Sequence, residues 1–109
     1  MNKMIGLAFG LLVLAIEAHG AAFEWGDLKR ERIELHLPLL TVQGSKGILA
    51  CAYIDVETCD KTGEACAIVS GVKTHDDMLK RPVVRVSKAA RQLGIEPGMS
   101  GKQALSLLR

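Results

Sequence analysis

The sequence predicts an α+β fold, a small mixed or antiparallel sheet with short helices packed on it. Two features point there. Extended apolar runs broken by Gly and Pro fill the first half of the chain, and the second half alternates such runs with short, capped helical patterns. The junction Ala65-Cys-Ala-Ile-Val-Ser-Gly-Val-Lys-Thr-His-Asp-Asp-Met-Leu79 joins the two habits: a buried strand runs into a turn at Gly71, and a helix opens beyond it. Because only 4% of residues are aromatic, the core must be built from Val, Ile, Leu, Ala and Met.

The elements follow in order. His19 to Trp25 has strand character, ended by Gly26-Asp27, and Lys29 to Arg32 reads as a solvated turn or strand start. Ile33-Glu-Leu-His-Leu37 alternates apolar and polar residues, as a half-buried strand does. Pro38 has no N–H to give a ladder and marks an edge or bulge, after which Leu39 to Val42 stays extended. A turn at Gln43-Gly-Ser-Lys-Gly47 leads into the apolar run Ile48 to Ile54, read as a strand covered on both faces. Asp55 caps a short helix that Gly63 stops, and Glu64 to Ser70 is the next strand. Thr74 caps the following helix, with Asp76 and Asp77 in its first turn, where the helix dipole favours acids. Pro82 to Val86 is a strand; Ser87 caps a helix carrying Ala89, Ala90 and Leu93, stopped by Gly94. Ser100-Gly-Lys-Gln103 has capping-box spacing, and Ala104, Leu105 and Leu108 form the buried stripe of a last helix.

Composition narrows the function. At 109 residues, 49% hydrophobic and 24% charged, the chain is of one-domain length and ordinary globular make-up. Seven basic residues (Lys80, Arg81, Arg85, Lys88, Arg91, Lys102, Arg109) stand against Glu96 alone in residues 80–109. Such a face would suit an anion, but solvated helix faces account for it, and the aromatic platforms of single-strand binders are missing, so nucleic acid is not the expected partner. The three cysteines, Cys51, Cys59 and Cys66, are odd in number and two lie in strongly apolar settings, so they read as reduced, mostly buried thiols.

Two readings of the N-terminus stand open. Met4 to Ile16 is uncharged and apolar, follows Lys3, and is succeeded by Ala18-His-Gly20 and Ala21-Ala22, which resembles a secretory leader. The run is too short to span a bilayer as a helix. Its other reading is a first core element, with Gly6 and Gly10 packed closely. Residues 1–22 are thus set apart from a domain at 23–109, and the expected location is cytoplasmic, with export as the alternative.

Leu37-Pro-Leu-Leu40, Lys46-Gly47, Cys51-Ala-Tyr53, Ser70-Gly-Val-Lys-Thr74, Leu93-Gly-Ile95, Gly98-Met-Ser-Gly101 and Ala104-Leu105, in that order, resemble the YunC-like family of small bacterial and archaeal domains of unknown function. The resemblance covers about residues 33–108. Ala52 stands where the family usually has Gly, and the N-terminal apolar run has no counterpart. The resemblance implies a small α+β fold that self-associates. It implies no activity and transfers no catalytic role.

Three constellations could carry chemistry. Cys51 as a thiol nucleophile would need His75 as base and Asp76 or Asp77 to orient it; the plainer reading makes Cys51 a small core hydrophobe and His75 an exposed helix-start residue. Tyr53 and Trp25 read as packing groups with one polar handle each, and Met78 and Met99 as core or interface fill. A metal on Cys51, Cys59, Cys66 and His75 would lack the tight ligand pairs of structural zinc sites, so no metal and no cofactor is expected. Gly71, Lys73, Thr74 and Asp76 place a flexible backbone, an amine and a hydroxyl at a helix start, a candidate ligand site for which ordinary capping is the plain alternative. The expected function is a self-associating ligand-binding or structural module, homo-oligomeric, with a small-molecule site at Gly71–Asp77 beside Cys51. The alternative is a small enzyme using the Cys51 thiol with His75.

Overall fold

The computed structural model describes residues 22–109. In chain order its elements are β1 (Lys29–Ile33), β2 (Leu39–Gln43), β3 (Ile48–Ala50), α1 (Val56–Thr62), β4 (Cys66–Val69), α2 (His75–Lys80), β5 (Val83–Val86), α3 (Lys88–Gln92) and α4 (Gly101–Leu108). The strands form one sheet in the order β1-β2-β3-β4-β5. Neighbours are antiparallel except β3 and β4, which run parallel with α1 as the crossover between them. This is a small α+β fold with a mixed sheet.

All four residues of β4 are buried, because both faces of the strand are covered. On one face Ala67 and Val69 join Leu40, Val42, Leu49 and Val83 in a core closed by Met78 of α2 and by Ala104, Leu105 and Leu108 of α4. On the other, Cys66 meets α1. Capping decides where the helices begin: Asp55, Thr74, Ser87 and Ser100 each accept a hydrogen bond from a backbone N–H of the first turn. Thr74 with Asp77, and Ser100 with Gln103, complete reciprocal capping boxes.

The structure corrects four readings. Ile33 to Leu37 is not a half-buried strand: β1 ends at Ile33, residues 34–37 bend, and every side chain from Lys29 to Leu37 is exposed. The register Ile33↔Leu39 forces the turn immediately after Ile33, and this outermost strand is paired on one side only. The run Ile48–Ile54 leaves the sheet at Cys51 and turns, with Ile54 N–H bonded to the Cys51 carbonyl at 3.1 Å; Tyr53 is therefore half exposed and not a packing group. Residues 22–25 form no strand; they are pinned by Arg109, whose guanidinium donates to the Glu24 carbonyl at 2.8 Å and lies over the Phe23 ring. The leader-or-core question at 1–21 lies outside the described residues.

The fourth correction concerns the thiols. Cys59 of α1 and Cys66 of β4 form a disulfide, with Cα atoms 6.3 Å apart, and only Cys51 among the three is free. The crossover lays the one buried residue of α1 onto the face of β4 that Cys66 occupies, a meeting that sequence spacing does not reveal.

Candidate functional site

The carboxyl ends of parallel strands are where open α/β sheets leave a crevice, since the chain departs from neighbouring strands in different directions. Here β3 leaves through Cys51-Ala52-Tyr53 and β4 through Ser70-Gly71-Val72. Between them, closed by Leu37 and Pro38 at the entry to β2, lies a cleft of about 260 Å³ with a predominantly apolar lining. The cleft thus joins Cys51 to Gly71, the two segments paired in the sequence reading. Leu37, Pro38, Ala52, Tyr53 and Val72 line it too and were not singled out as site residues; the Leu37-Pro-Leu-Leu40, Cys51-Ala-Tyr53 and Ser70-Gly-Val-Lys-Thr74 motifs contain all five.

The second wall is a braced loop. Gly71 has φ +70°, a left-handed conformation that glycine adopts without strain, and a Cβ there would meet the Arg81 guanidinium at 2.7 Å. Val72, 4% exposed, plugs the loop into the core. Two guanidinium groups tie its carbonyls: Arg81 Nε–H donates to Ser70 O at 3.1 Å and Arg32 Nη1–H to Lys73 O at 2.9 Å. The Asp77 carboxylate accepts the backbone N–H groups of Lys73 (3.0 Å) and Thr74 (3.2 Å). In the candidate anion cradle, therefore, those two N–H groups are already bonded to a carboxylate of the chain itself. Lys73, Thr74 and Asp76 are exposed, and none of the three lines the cleft.

The bond from the Lys73 N–H, with those from Thr74, holds the Asp77 carboxyl below its ordinary range. A carboxyl depressed on folding stabilises fully above its unfolded pKa, about 3.9, and that contribution is lost as pH falls through the lower folded value. Asp77→Asn is accordingly expected to melt below wild type at pH 6. The gap should close as both are taken to acid below pH 4; a gap unchanged across that range would remove the charge from the explanation.

Cys51 is 4% exposed; its Sγ accepts the Leu40 N–H at 3.3 Å while its own N–H bonds the Leu40 carbonyl at 3.0 Å. His75 turns elsewhere. Its Nε2 lies 3.0 Å from the Glu31 carbonyl and its ring meets Trp25 edge-on, with centroids 6.3 Å apart. Thus the thiol and the imidazole each have a different partner, and His75 is not part of the cleft wall. Of the four metal donors weighed above, Cys59 and Cys66 are consumed by the disulfide. Among the described residues no three His, Cys, Asp or Glu side chains converge on a metal-sized position.

A family model described as a domain of unknown function, DUF1805, matches residues 50–108, more than half of the chain and both walls of the cleft. The chain belongs to the DUF1805 family. The uncharacterized protein YunC of Bacillus subtilis is 36% identical over 70 residues, covering 61% of this chain and 69% of YunC. Among solved structures, the protein of unknown function TA1206 from Thermoplasma acidophilum superposes with a TM-score of 0.66 at 33% identity, covering 82% of this chain and all of that one. These family relatives carry no described activity. Among the described residues no helix is long and apolar enough to cross a membrane.

Proposed function

We propose that the chain is a self-associating ligand-binding module whose site is the cleft between the β3 and β4 exits. The observation that carries this is the cleft itself: about 260 Å³, apolar, and walled by a loop that two arginines and a capping carboxylate hold in place. A pre-formed apolar concavity takes a small molecule with an apolar body, and Tyr53 is the lining residue that carries a hydroxyl. Ala52→Trp, at an exposed lining position, should fill the cleft without disturbing the core. The expected result is loss of binding of the apolar fluorophore ANS with the melting temperature held. Binding of ANS undiminished by the substitution would place any apolar site elsewhere. The chemistry of a Cys51 thiol with His75 has no hydrogen bond supporting it over this reading.

The Cys59–Cys66 disulfide supports an oxidising compartment, with Met4–Ile16 acting as an export leader, over the cytoplasmic reading. Protein made in an oxidising compartment should then carry the bridge. Its reduction should cost about 2–3 kcal/mol, the scale for closing so short a loop. Intact-mass measurement after alkylation, paired with urea unfolding, checks both; two free thiols at Cys59 and Cys66 in exported protein would defeat the reading.

A further inference from the structure

We infer that the Cys59–Cys66 bridge is a redox latch: a dithiol that opens it frees α1 from the sheet and slackens the cleft wall at Ala52 and Tyr53. The inference rests on the cleft reading above and names its regulation. α1 is held unlike the other helices. The main core takes Met78 from α2, Ala90 from α3 and Ala104, Leu105 and Leu108 from α4, but no side chain from α1. Cys59 is the one buried residue among the seven of α1, and it lies outside that core with Cys66 and Ile68 of β4. A second tie, from the Lys88 N–H to the Asp60 carboxylate at 2.8 Å, is exposed to water. The bridge therefore does for α1 what buried side chains do elsewhere, and its loss falls on α1 and not on the whole domain.

The same helix anchors the cleft wall. From Cys51 the chain runs through Ala52, Tyr53 and Ile54 to the Asp55 cap of α1. Ala52 and Tyr53 line the cleft and also, with Val56 and Ile68, a second hollow beside the start of α1. One end of this segment is fixed, because Cys51 is bonded to Leu40 through both its N–H and its Sγ. The other end is fixed by α1, so freeing the helix leaves the wall tethered at Cys51 alone.

Opening proceeds by thiol–disulfide exchange. Cys59 is 7% exposed and Cys66 1%, so a thiolate of the dithiol attacks Cys59 Sγ. A mixed disulfide forms, and Cys66 leaves as a thiolate that takes up a proton. The second thiolate of the dithiol then attacks its own partner's sulfur and expels Cys59. Two electrons pass to the bridge, and the dithiol departs as a disulfide. The latch thus holds where dithiols are scarce and opens where they abound.

Amide hydrogen exchange of the full chain, oxidised and after treatment with dithiothreitol, tests this. Reduction is expected to speed exchange from Cys59 to Thr62 about thirty- to hundredfold, the factor that matches closure of so short a loop. The Ile54 N–H, bonded to the Cys51 carbonyl in the wall, should speed up with them, while α2 and α4 stay protected. Cys59→Ala combined with Cys66→Ala should show the reduced pattern without reductant and ignore dithiothreitol. Equal protection of α1 in both states, or protection lost across α4 as well, overturns the latch. A freed α1 with Ile54 still protected overturns its hold on the cleft. The cleft reading itself stands or falls separately, on the Ala52→Trp comparison made with oxidised protein.

Discussion

Gly101→Ala is expected to destabilise the protein by about 3 kcal/mol, on the order of 15 °C in melting temperature for a domain of this size. Gly101 opens α4, is buried, and gives its N–H to the Arg81 carbonyl at 2.9 Å. A Cβ at this position would collide with the Met78 carbonyl in the last turn of α2. Backbone meets backbone there, so no rotamer change relieves the overlap; α4 must slide, and with it Ala104, Leu105 and Leu108, all fully buried. Gly63→Ala is the natural control. Gly63 also has a positive φ, +80°, but a Cβ there meets nothing, so only the left-handed strain remains, about 1 kcal/mol. Chemical denaturation of both variants decides the matter: Gly101→Ala no worse than Gly63→Ala would mean that the α2–α4 contact yields freely.

Ser87→Ala should cost a similar amount, about 3 kcal/mol, although it removes a single oxygen. Ser87 is the one fully buried polar side chain among the described residues. Its hydroxyl donates to the Glu64 carbonyl at 2.7 Å and accepts the N–H groups of Cys66 (2.9 Å) and Ala90 (3.2 Å). One atom therefore caps α3, ties the end of β5 to β4, and satisfies the strand next to the disulfide. Alanine leaves two buried N–H groups and a carbonyl without partners, each costing roughly 1–3 kcal/mol where water cannot enter. Ser87→Thr, which keeps the hydroxyl, should recover part of the loss. Equal unfolding midpoints for the Ala variant and wild type would show that water replaces the hydroxyl.

The helix starts were legible because capping is local. Asp55, Thr74, Ser87 and Ser100 each act on N–H groups two or three residues away, so residue type and spacing suffice. The Gly71 turn was legible for the same reason, the buried strand before it and the capped helix after it leaving few alternatives. The sequence set the candidate site at Gly71–Asp77 beside Cys51 but placed Cys51 inside a strand. That Cys51 and Gly71 stand on facing walls of one cleft, with Lys73, Thr74 and Asp76 outside its lining, comes from the turn after Ala50. The Ile33–Leu37 alternation misled: periodicity states which residues would share a face, and whether that face is covered depends on how far the helices reach along the sheet.

On its own, then, the order of residues determined the α+β class, the four helix caps, the glycine turn at Gly71 and the family. These rest on contacts within a few positions along the chain or on motifs in a given order. Only the tertiary structure decided that Cys59 meets Cys66, that Cys51 bonds Leu40 while His75 reaches Glu31, and that Ser87 joins β4, β5 and α3. Each of these joins segments whose separation is set by the packing of whole elements, which no spacing along the chain encodes.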